Sequence, residues 1–290
     1  MVSTVEGSLP VSGGALYHRC AGAGPVVVGV HGGPGLSHEP LRAFEILARP
    51  GGRAIVNYDQ RGFGRSSGAV NEAALFAQSV ADLDGVRATV AGADATIHLI
   101  GHGRGALLAA LYAGTHPDRV ASLALLDSFP PTSLQLGEAC ERMEARVREL
   151  QRRALIPAEL PSFEEDGPGR LLAVLPALFV DPSHPAARSL GGARFSLEAY
   201  RAVRVALRAY DVRPEVARVR APSLHFISPV PFGSGMASSM AAAIGGVARR
   251  LLLRSAGHLA WLERPTTVLG ALETFWDEVE RNDKSKGETS

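Results

Sequence analysis

Short apolar runs rich in Val, Ile and Leu recur along the chain and are separated by longer amphipathic segments. Runs of this kind predict strands that are covered on both faces, and their alternation with helices is typical of a mostly parallel sheet. The predicted strands are ALYHRC, PVVVGVHGG, RAIVNYDQ, TIHLIGHG, VASLALLD, APSLHFIS and ARRLLLRS. The pattern therefore predicts an α/β fold, with a mostly parallel sheet flanked by helices.

The strand pattern stops at residue 128 and resumes near residue 221. Between these points the sequence reads as helical in stretches such as ACERMEARVRELQRRA and LEAYRAVRVALRAY. We therefore expect a core in two parts, 1–127 and 221–282, that is interrupted by a helical insertion at 128–220. The polar end at 283–290 predicts a disordered tail.

Composition narrows the class of partner. The 290 residues are 46% hydrophobic, which suffices for a sizeable core, and 30 basic and 29 acidic residues leave a net charge of +1. This balance predicts no binding to nucleic acid or to an anionic membrane and favours a small-molecule substrate. No basic start precedes an apolar run, and no run approaches the roughly 18 apolar residues of a membrane span, so we expect a cytoplasmic protein. The oligomeric state stays open.

The stretch LIGHGRGALLA predicts a strand, a sharp turn and a helix. In the strand-turn-helix pattern Gly-x-Ser-x-Gly, the middle residue is a nucleophilic serine, but here it is Gly103. Removing such a nucleophile costs on the order of 10⁶ in turnover, so ordinary acyl-enzyme chemistry is not expected. Glycine also suits the strained backbone of this turn once no hydroxyl is needed.

Four stretches occur in an order that indicates a family: HGGPG at His31–Gly35, DQRGFGRSS at Asp59–Ser67, GHGRG at Gly101–Gly105 and GHLAWLERP at Gly257–Pro265. Together they resemble the α/β-hydrolase fold superfamily and, within it, the proline-iminopeptidase-like group, with the nucleophile serine replaced by glycine. The resemblance implies that the helical insertion is the cap of this family. It also implies that the charged residues of DQRGFGRSS are structural.

The resemblance further implies an oxyanion hole and a catalytic histidine. The backbone N–H groups of Gly33, or of its neighbour Gly32, and of Arg104 would form the oxyanion hole. His258 stands where the family places its catalytic histidine, whose imidazole suits proton transfer near neutral pH.

The acid of the triad is not at its usual place. The family has Gly-x-x-Asp after the strand that here reads APSLHFIS, but residues Ser228 to Pro231 contain no carboxylate. Some relatives place the acid one strand earlier, where this chain has Asp127. We expect Asp127 to bind His258 and stabilise its imidazolium form. The alternative is that Asp127 caps the following turn.

Three other histidines, His31, His102 and His225, are predicted to line the pocket. They suggest a metal site only weakly, because no carboxylate pattern accompanies them and the first two are common at these motif positions. The two cysteines, Cys20 and Cys140, are far apart and show no CxxC spacing, so they indicate neither a disulfide nor zinc. We expect no metal and no cofactor.

These residues lead first to an enzyme that forms no covalent intermediate. His258 would act as general acid or base and the oxyanion hole would stabilise an enolate, in a lyase, a cyclase or a cofactor-free oxygenase acting on a small carbonyl compound of biosynthesis. The second hypothesis is an inert protein that binds a ligand beneath the cap. A third is hydrolysis by water that His258 activates. A fourth is a peptidase or esterase in which Gly103 is an engineered or recent loss of serine.

Overall fold

The computed structural model describes residues 3–48 and 52–287 of the chain. Its centre is an eight-stranded sheet with the order β1-β2-β4-β3-β5-β6-β7-β8. Strands β3 to β8 pair in parallel, whereas β1 and β2 pair antiparallel to each other and β2 antiparallel to β4. The strands are β1 (Thr4–Val11), β2 (Gly14–Ala21), β3 (Val26–Val30), β4 (Ala54–Tyr58), β5 (Ile97–His102), β6 (Val120–Leu126), β7 (Ser223–Ile227) and β8 (Ala248–Leu252).

Helices cover both faces of this sheet. They are α1 (Leu75–Ala91), α2 (Arg104–Thr115), α3 (Ser133–Arg152), α4 (Phe163–Val174), α5 (Leu197–Ala206), α6 (Arg213–Val216), α7 (Ser234–Ala243), α8 (Ala260–Glu263) and α9 (Pro265–Gly287). Short 3-10 helices occur at Glu39–Leu47, Glu72–Ala74, Pro117–Arg119, Leu175–Leu178 and Pro185–Arg188. The mostly parallel sheet flanked by helices is the fold class that the sequence predicts, and the prediction is confirmed.

The first strand is an element that the sequence pattern did not predict. β1 has only one fully buried residue, Leu9, and it contains Gly7 and Pro10, which interrupt apolar alternation. Because β1 is at the edge of the sheet, a proline and exposed polar side chains are tolerated there. The register of β1 with β2 is therefore set by the antiparallel pairing of the two backbones and not by an apolar face of β1.

Two apolar layers enclose the sheet. Helix α2 lies in the layer that also holds α1 and α7, and eleven of its twelve residues are buried, so its small residues allow close approach to the strands. Helix α9 and the aromatic side chains of Trp261 and Trp276 fill the layer on the opposite face. Both layers keep the central strands in a fixed position, which in turn fixes the loops at their carboxyl ends.

The segment between β6 and β7 contains α3 to α6 and no strand of the sheet among the residues described. At the other end of the chain, the prediction of a disordered tail from residue 283 needs correction. Helix α9 continues to Gly287, because no proline interrupts it after its first residue, while 288–290 lie outside the described residues. Within the described ranges, no helix combines the length and apolar character needed to cross a membrane.

The parallel strands bring the predicted site residues to one edge. His31 follows β3, Gly103 follows β5, Asp127 follows β6, Ser228 follows β7 and His258 lies in the loop after β8. In open α/β sheets, ligands bind outside the carboxyl ends of the strands. The fold therefore places these residues where a site is expected.

Candidate active site

Gly103 forms the sharp turn between β5 and α2. Its backbone has φ +54° and ψ −116°, a conformation that favours glycine, and its N–H donates to the Leu126 carbonyl at 3.0 Å. An ideal Cβ on this residue would lie 3.4 Å from Nε2 of His258 and 3.7 Å from the Phe129 ring. A side chain at position 103 would therefore face the His258 imidazole.

The His258 loop is held from two directions. Its backbone N–H donates to the Leu178 carbonyl at 2.7 Å, and its carbonyl lies 3.0 Å from Nε2 of His102. The two imidazole rings are 4.3 Å apart, and His102 also contacts Trp261 edge-on. Burial lowers the pKa of His258 to about 4 and that of His102 well below its usual value. Both rings are therefore neutral at neutral pH.

Asp127 lies beside His258, but its strongest contacts are with Ser228. The carboxylate accepts a hydrogen bond from the Ser228 N–H at 2.8 Å and a short one from the Ser228 hydroxyl. Oδ2 of Asp127 is 3.4 Å from Nδ1 of His258, which makes no well-aligned hydrogen bond within the described residues. Burial raises the pKa of Asp127 to about 8, against the opposing effect of the Ser228 hydrogen bonds.

The backbone of Asp127 is unusual as well. Its φ is +41°, one of two positive values among the non-glycine residues that the structure describes. Aspartate tolerates this region better than most residues, but it is still a strained conformation. The carboxylate contacts Ser228 and His258, and no hydrogen bond to its own turn is formed among the described residues. The sequence analysis did not identify Ser228 as a site residue. The family pattern has a carboxylate in this segment, and it gives no sign of a hydroxyl that binds the carboxylate of another residue.

A second residue missed by the sequence connects the insertion to the His258 loop. Glu263, which is 9% exposed, accepts hydrogen bonds from the Val180 and Asp181 N–H groups at 3.1 and 3.3 Å. Its other oxygen accepts a short hydrogen bond from the Gly257 N–H. The sequence WLERP contains this glutamate, but nothing in the pattern reveals that it joins two distant segments.

The loop after β3 packs against the turn at Gly103. Gly33 has φ +71°, and its N–H has no protein acceptor among the residues described. Arg104 is the first residue of α2, where backbone N–H groups have no partner within the helix. Its side chain reaches the Gly33 carbonyl at 3.4 Å. The two amides predicted for the oxyanion hole thus belong to segments that are in contact.

Two of the predicted pocket histidines have other surroundings. His31 is 1% exposed, and its Nε2 accepts the Gln60 N–H at 3.0 Å, so it fixes the loop after β4. His225 is 0% exposed, and its Nε2 lies 3.0 Å from the Ser223 hydroxyl within β7. Of the three histidines expected to line the pocket, His102 alone contacts His258 among the described residues.

A different group of residues has the composition of a metal site. His38, Glu39 and Asp59 bring potential ligand atoms within 4.8 Å of one another. Asp59 already accepts hydrogen bonds from the His38 ring at 2.7 Å and the Arg65 N–H at 2.8 Å, while Glu39 is bound by Ser37 and Arg65. Their donor atoms are thus engaged within the protein, and the histidines considered in the sequence are not part of this group.

Aromatic side chains form one wall beside His258. Phe232 lies 5.8 Å from the His258 ring and 6.2 Å from Phe129, measured between ring centroids. Both phenylalanines are half-buried. The space in front of Gly103 therefore combines an apolar wall with a neutral imidazole and free backbone amides, a combination typical of sites for small organic ligands.

Comparison with known proteins gives a family. A family model described as alpha/beta hydrolase fold matches residues 25–173. A proline iminopeptidase of Lactobacillus helveticus (strain DPC 4571) is 35% identical over 136 residues, which cover 45% of this chain and 46% of that protein. A proline iminopeptidase of Lactobacillus crispatus (strain ST1) is 33% identical over 172 residues, or 57% of each chain. The matches thus span about half the length of these curated relatives.

A solved structure resembles nearly the whole chain. The crystal structure of the Mycobacterium smegmatis proline iminopeptidase superposes with a TM-score of 0.73 and 19% identity, covering 96% of this chain and all of that one. At this level of identity the likeness concerns the fold. It includes the insertion between β6 and β7, about half of which lies outside the matched residues 25–173.

Proposed function

This chain belongs to the α/β-hydrolase fold family, and from that premise we propose that it is an enzyme that acts on a small carbonyl compound without a covalent intermediate. The observation that carries the proposal is the pairing of Gly103 with His258. The residue at the turn offers no nucleophile, while Nε2 of His258 lies 3.4 Å from where a Cβ would be. The imidazole is therefore free to act on the substrate itself.

The protonation state of His258 suits a general base. With its pKa lowered to about 4, the ring is neutral at neutral pH and can accept a proton at Nε2. The Asp127 carboxyl group is 3.4 Å from Nδ1 and, in its ionised form, would stabilise the imidazolium that forms. Ser228 and the strained backbone at Asp127 keep the carboxyl group in this place.

The chemistry that fits is proton abstraction next to a carbonyl group. The C–H bond breaks, the proton moves to Nε2 of His258, and the electron pair shifts to the carbonyl oxygen. The resulting enolate oxygen would be stabilised by the N–H groups of Gly33 and Arg104, supported by the N-terminus of α2. Elimination, retro-aldol cleavage, cyclisation and reaction of the carbanion with oxygen all pass through such a species.

Hydrolysis is the second candidate. The curated relatives are named proline iminopeptidases, and the space at Gly103 lies against Nε2 of His258. A water molecule in that space would be activated by the same imidazole and would attack the substrate carbonyl directly. An inert binding protein would use the same apolar wall but would leave its ligand chemically unchanged.

Isotope labelling separates these functions. The protein is incubated with a panel of ketones, keto esters and aryl esters, once in D₂O and once in H₂¹⁸O, and products are analysed by mass spectrometry. Deuterium uptake next to a carbonyl, lost in His258→Ala, supports the enolate mechanism, and ¹⁸O in a released acid supports hydrolysis. A protein that exchanges no deuterium with any member of the panel, or for which His258→Ala changes nothing, would contradict the first proposal.

A further inference from the structure

Arg104 is a buried arginine with an exceptional environment. Four arginines of the described chain are buried, and three of them donate from Nε to a carboxylate at 2.7 to 2.9 Å. These pairs are Arg53 with Glu280, Arg61 with Asp82, and Arg87 with Asp84, and Arg53 also binds Asp277. Arg104 is 3% exposed and has no carboxylate within salt-bridge distance among the residues described. Among these four buried arginines, Arg104 is therefore the one whose charge is not balanced by a carboxylate.

The groups around the Arg104 guanidinium are neutral. Nη2 donates to Oε1 of Gln60 at 2.6 Å, Nε approaches the Gly33 carbonyl at 3.4 Å, and the guanidinium carbon lies 5.3 Å from the Phe63 ring centroid. Nη1 has no acceptor within the described residues, yet it is not one of the fully enclosed polar atoms that lack a partner. Nη1 therefore has hydrogen-bonding capacity that no described residue uses.

Burial without an anion is unfavourable for this charge. Desolvation lowers the pKa of Arg104 to about 10, so the guanidinium still carries its proton at neutral pH. Buried charges are normally paired, because solvation lost on burial must be replaced by an opposite charge or by hydrogen bonds. Two carbonyl acceptors provide part of this replacement, and an anion at Nη1 would provide the rest.

The neighbouring groups also favour an anion. Arg104 begins α2, a twelve-residue helix whose N-terminal amides carry partial positive charge. The free Gly33 N–H belongs to the loop that the guanidinium touches. Tyr58 adds a second buried polar group: its hydroxyl has no partner among the described residues, and burial raises its pKa, so it is neutral and does not balance the charge of Arg104. Helix terminus, amide and guanidinium thus converge without a negative group.

We infer that the Arg104 guanidinium binds a carboxylate of the substrate, so that the natural ligand is a carbonyl compound that also carries a carboxylate. This inference rests on the proposed function, because it assigns the substrate class of the same site. A carboxylate is preferred to a spherical anion, since the planar Nη1 and Nη2 edge presents parallel N–H donors. The carbonyl group would then face Gly103 and His258, next to the residue that binds its acid group.

Matched probes test this inference without any turnover. Phenylacetate and phenylacetamide have the same ring and nearly the same shape, and they differ in charge. We expect the unmodified protein to bind phenylacetate at least about 30-fold more tightly than phenylacetamide by calorimetry, in line with the cost of removing one partner of a buried charge pair. Arg104→Met should abolish this preference, and Arg104→Lys should retain part of it.

Two controls make the result specific. Arg119→Met removes the same charge from an exposed pair with Asp94 and should leave the preference unchanged, and far-UV circular dichroism checks that each variant is folded. Equal binding of the two probes by the unmodified protein, including the case in which neither binds, overturns the inference, as does an anion preference that survives in Arg104→Met. Loss of deuterium exchange in His258→Ala tests the proposed function separately.

Discussion

Two groups of buried charges lie within a short distance of each other along the sheet edge, and they differ in how their charges are matched. The paired group consists of Asp59, Arg61, Asp82, His38 and Glu39, and the exposed Arg65 binds its two members Asp59 and Glu39. Arg61 binds both oxygens of Asp82 at 2.9 and 2.5 Å, and burial of Asp59 is outweighed by hydrogen bonds that lower its pKa. The open group consists of Arg104, Asp127 and His258. Desolvation lowers the pKa of Arg104 and His258 and raises that of Asp127, so in each residue burial disfavours the charged form.

The difference separates structural charges from candidate functional ones. A buried ion pair with complete hydrogen bonding holds loops together and has no capacity left for a ligand. A buried group whose charge is destabilised by its surroundings has that capacity, and such groups concentrate at functional sites. The paired group therefore holds the loop after β4 in place, whereas the groups whose charged form is destabilised by burial lie at the turn beside it.

The largest change that would sharpen this comparison is Gly103→Ser. The hydroxyl would lie next to Nε2 of His258, with Asp127 behind the ring, which completes a triad. We expect hydrolysis of p-nitrophenyl acetate to rise on the order of 10² to 10⁴-fold, less than the full contribution of a serine because the Asp127 contact is poorly aligned. Stopped-flow measurement should show a burst from an acyl-enzyme.

Gly103→Ala is the matched control, because it imposes the same backbone strain at φ +54° without a hydroxyl. The double variant Gly103→Ser with His258→Ala should return hydrolysis to the background rate. If Gly103→Ser and Gly103→Ala hydrolyse the ester equally slowly, His258 is not placed to activate a group at position 103.

The second prediction contrasts two arginines, one from each group. Arg61→Met leaves Asp82 buried without its partner and should reduce the free energy of unfolding by about 3 to 5 kcal/mol. Arg104→Met removes an unmatched charge and two hydrogen bonds to neutral acceptors, so its cost should be smaller, about 1 to 3 kcal/mol. Urea unfolding at neutral pH measures both.

The double variant Arg61→Met with Asp82→Asn provides the control for this pair, because it removes both charges. It should recover part of the stability that Arg61→Met loses. A loss in Arg104→Met as large as that in Arg61→Met would mean that Arg104 is a structural charge like those of the paired group.

The sequence predicted the elements of this site better than its contacts. Apolar runs and four motifs were enough to place Gly103 and His258 at the same edge, because parallel strands bring their carboxyl ends together. They could not show that Asp127 is held by Ser228, since that contact crosses from β6 to β7 and depends on a strained φ. Nor could they show that Arg104 lacks a carboxylate, because pairing is a property of three-dimensional surroundings.

The same limit applies to the errors of the sequence analysis. His31 and His225 belong to motifs or strands close to the edge, so they were expected in the pocket, but side-chain direction decides their role. The His31 ring accepts a hydrogen bond from the Gln60 N–H, and the His225 ring contacts the Ser223 hydroxyl within β7. β1 was missed for a related reason: an edge strand takes its stability from backbone pairing, which leaves little apolar pattern to read.

The third prediction concerns pH. The folded-state pKa of His258, about 4, lies below the value near 6.5 of an unfolded histidine, so the unfolded chain binds a proton first. Stability is therefore unaffected above pH ~6.5 and falls by up to about 1.4 kcal/mol per pH unit below it. Relative to His258→Gln, the unmodified protein should lose stability between pH ~6.5 and ~4.5, measured by urea unfolding.

Asp127 contributes with the opposite sign. Its folded-state pKa of about 8 lies above that of an unfolded aspartate, so its contribution is fully present at low pH and is lost as pH rises toward 8. Asp127→Asn removes this dependence and should flatten the stability profile above pH ~5. If the free energy of unfolding has the same pH dependence in the unmodified protein, His258→Gln and Asp127→Asn, then His258 and Asp127 do not have the shifted pKa values that distinguish the open group.

The smallest expected effect tests how the open group is held in place. Ser228→Ala removes the hydroxyl that donates to Oδ2 of Asp127 but keeps the backbone N–H bond to Oδ1. The lost hydrogen bond favours the ionised carboxylate, so its removal should raise the pKa of Asp127 further and cost about 1 kcal/mol of stability. Carbon-13 NMR of the aspartate carboxyl group follows the titration directly. Ser223→Ala is the matched control, since it removes a buried hydroxyl from β7, the strand that Ser228 follows, and this hydroxyl contacts His225 instead. Both substitutions remove one buried hydroxyl. A shift of the Asp127 titration in Ser228→Ala alone would show that the Ser228 hydroxyl positions the carboxylate. Equal titrations in both variants would show that the hydroxyl does not hold the carboxylate and that the backbone at Asp127 does.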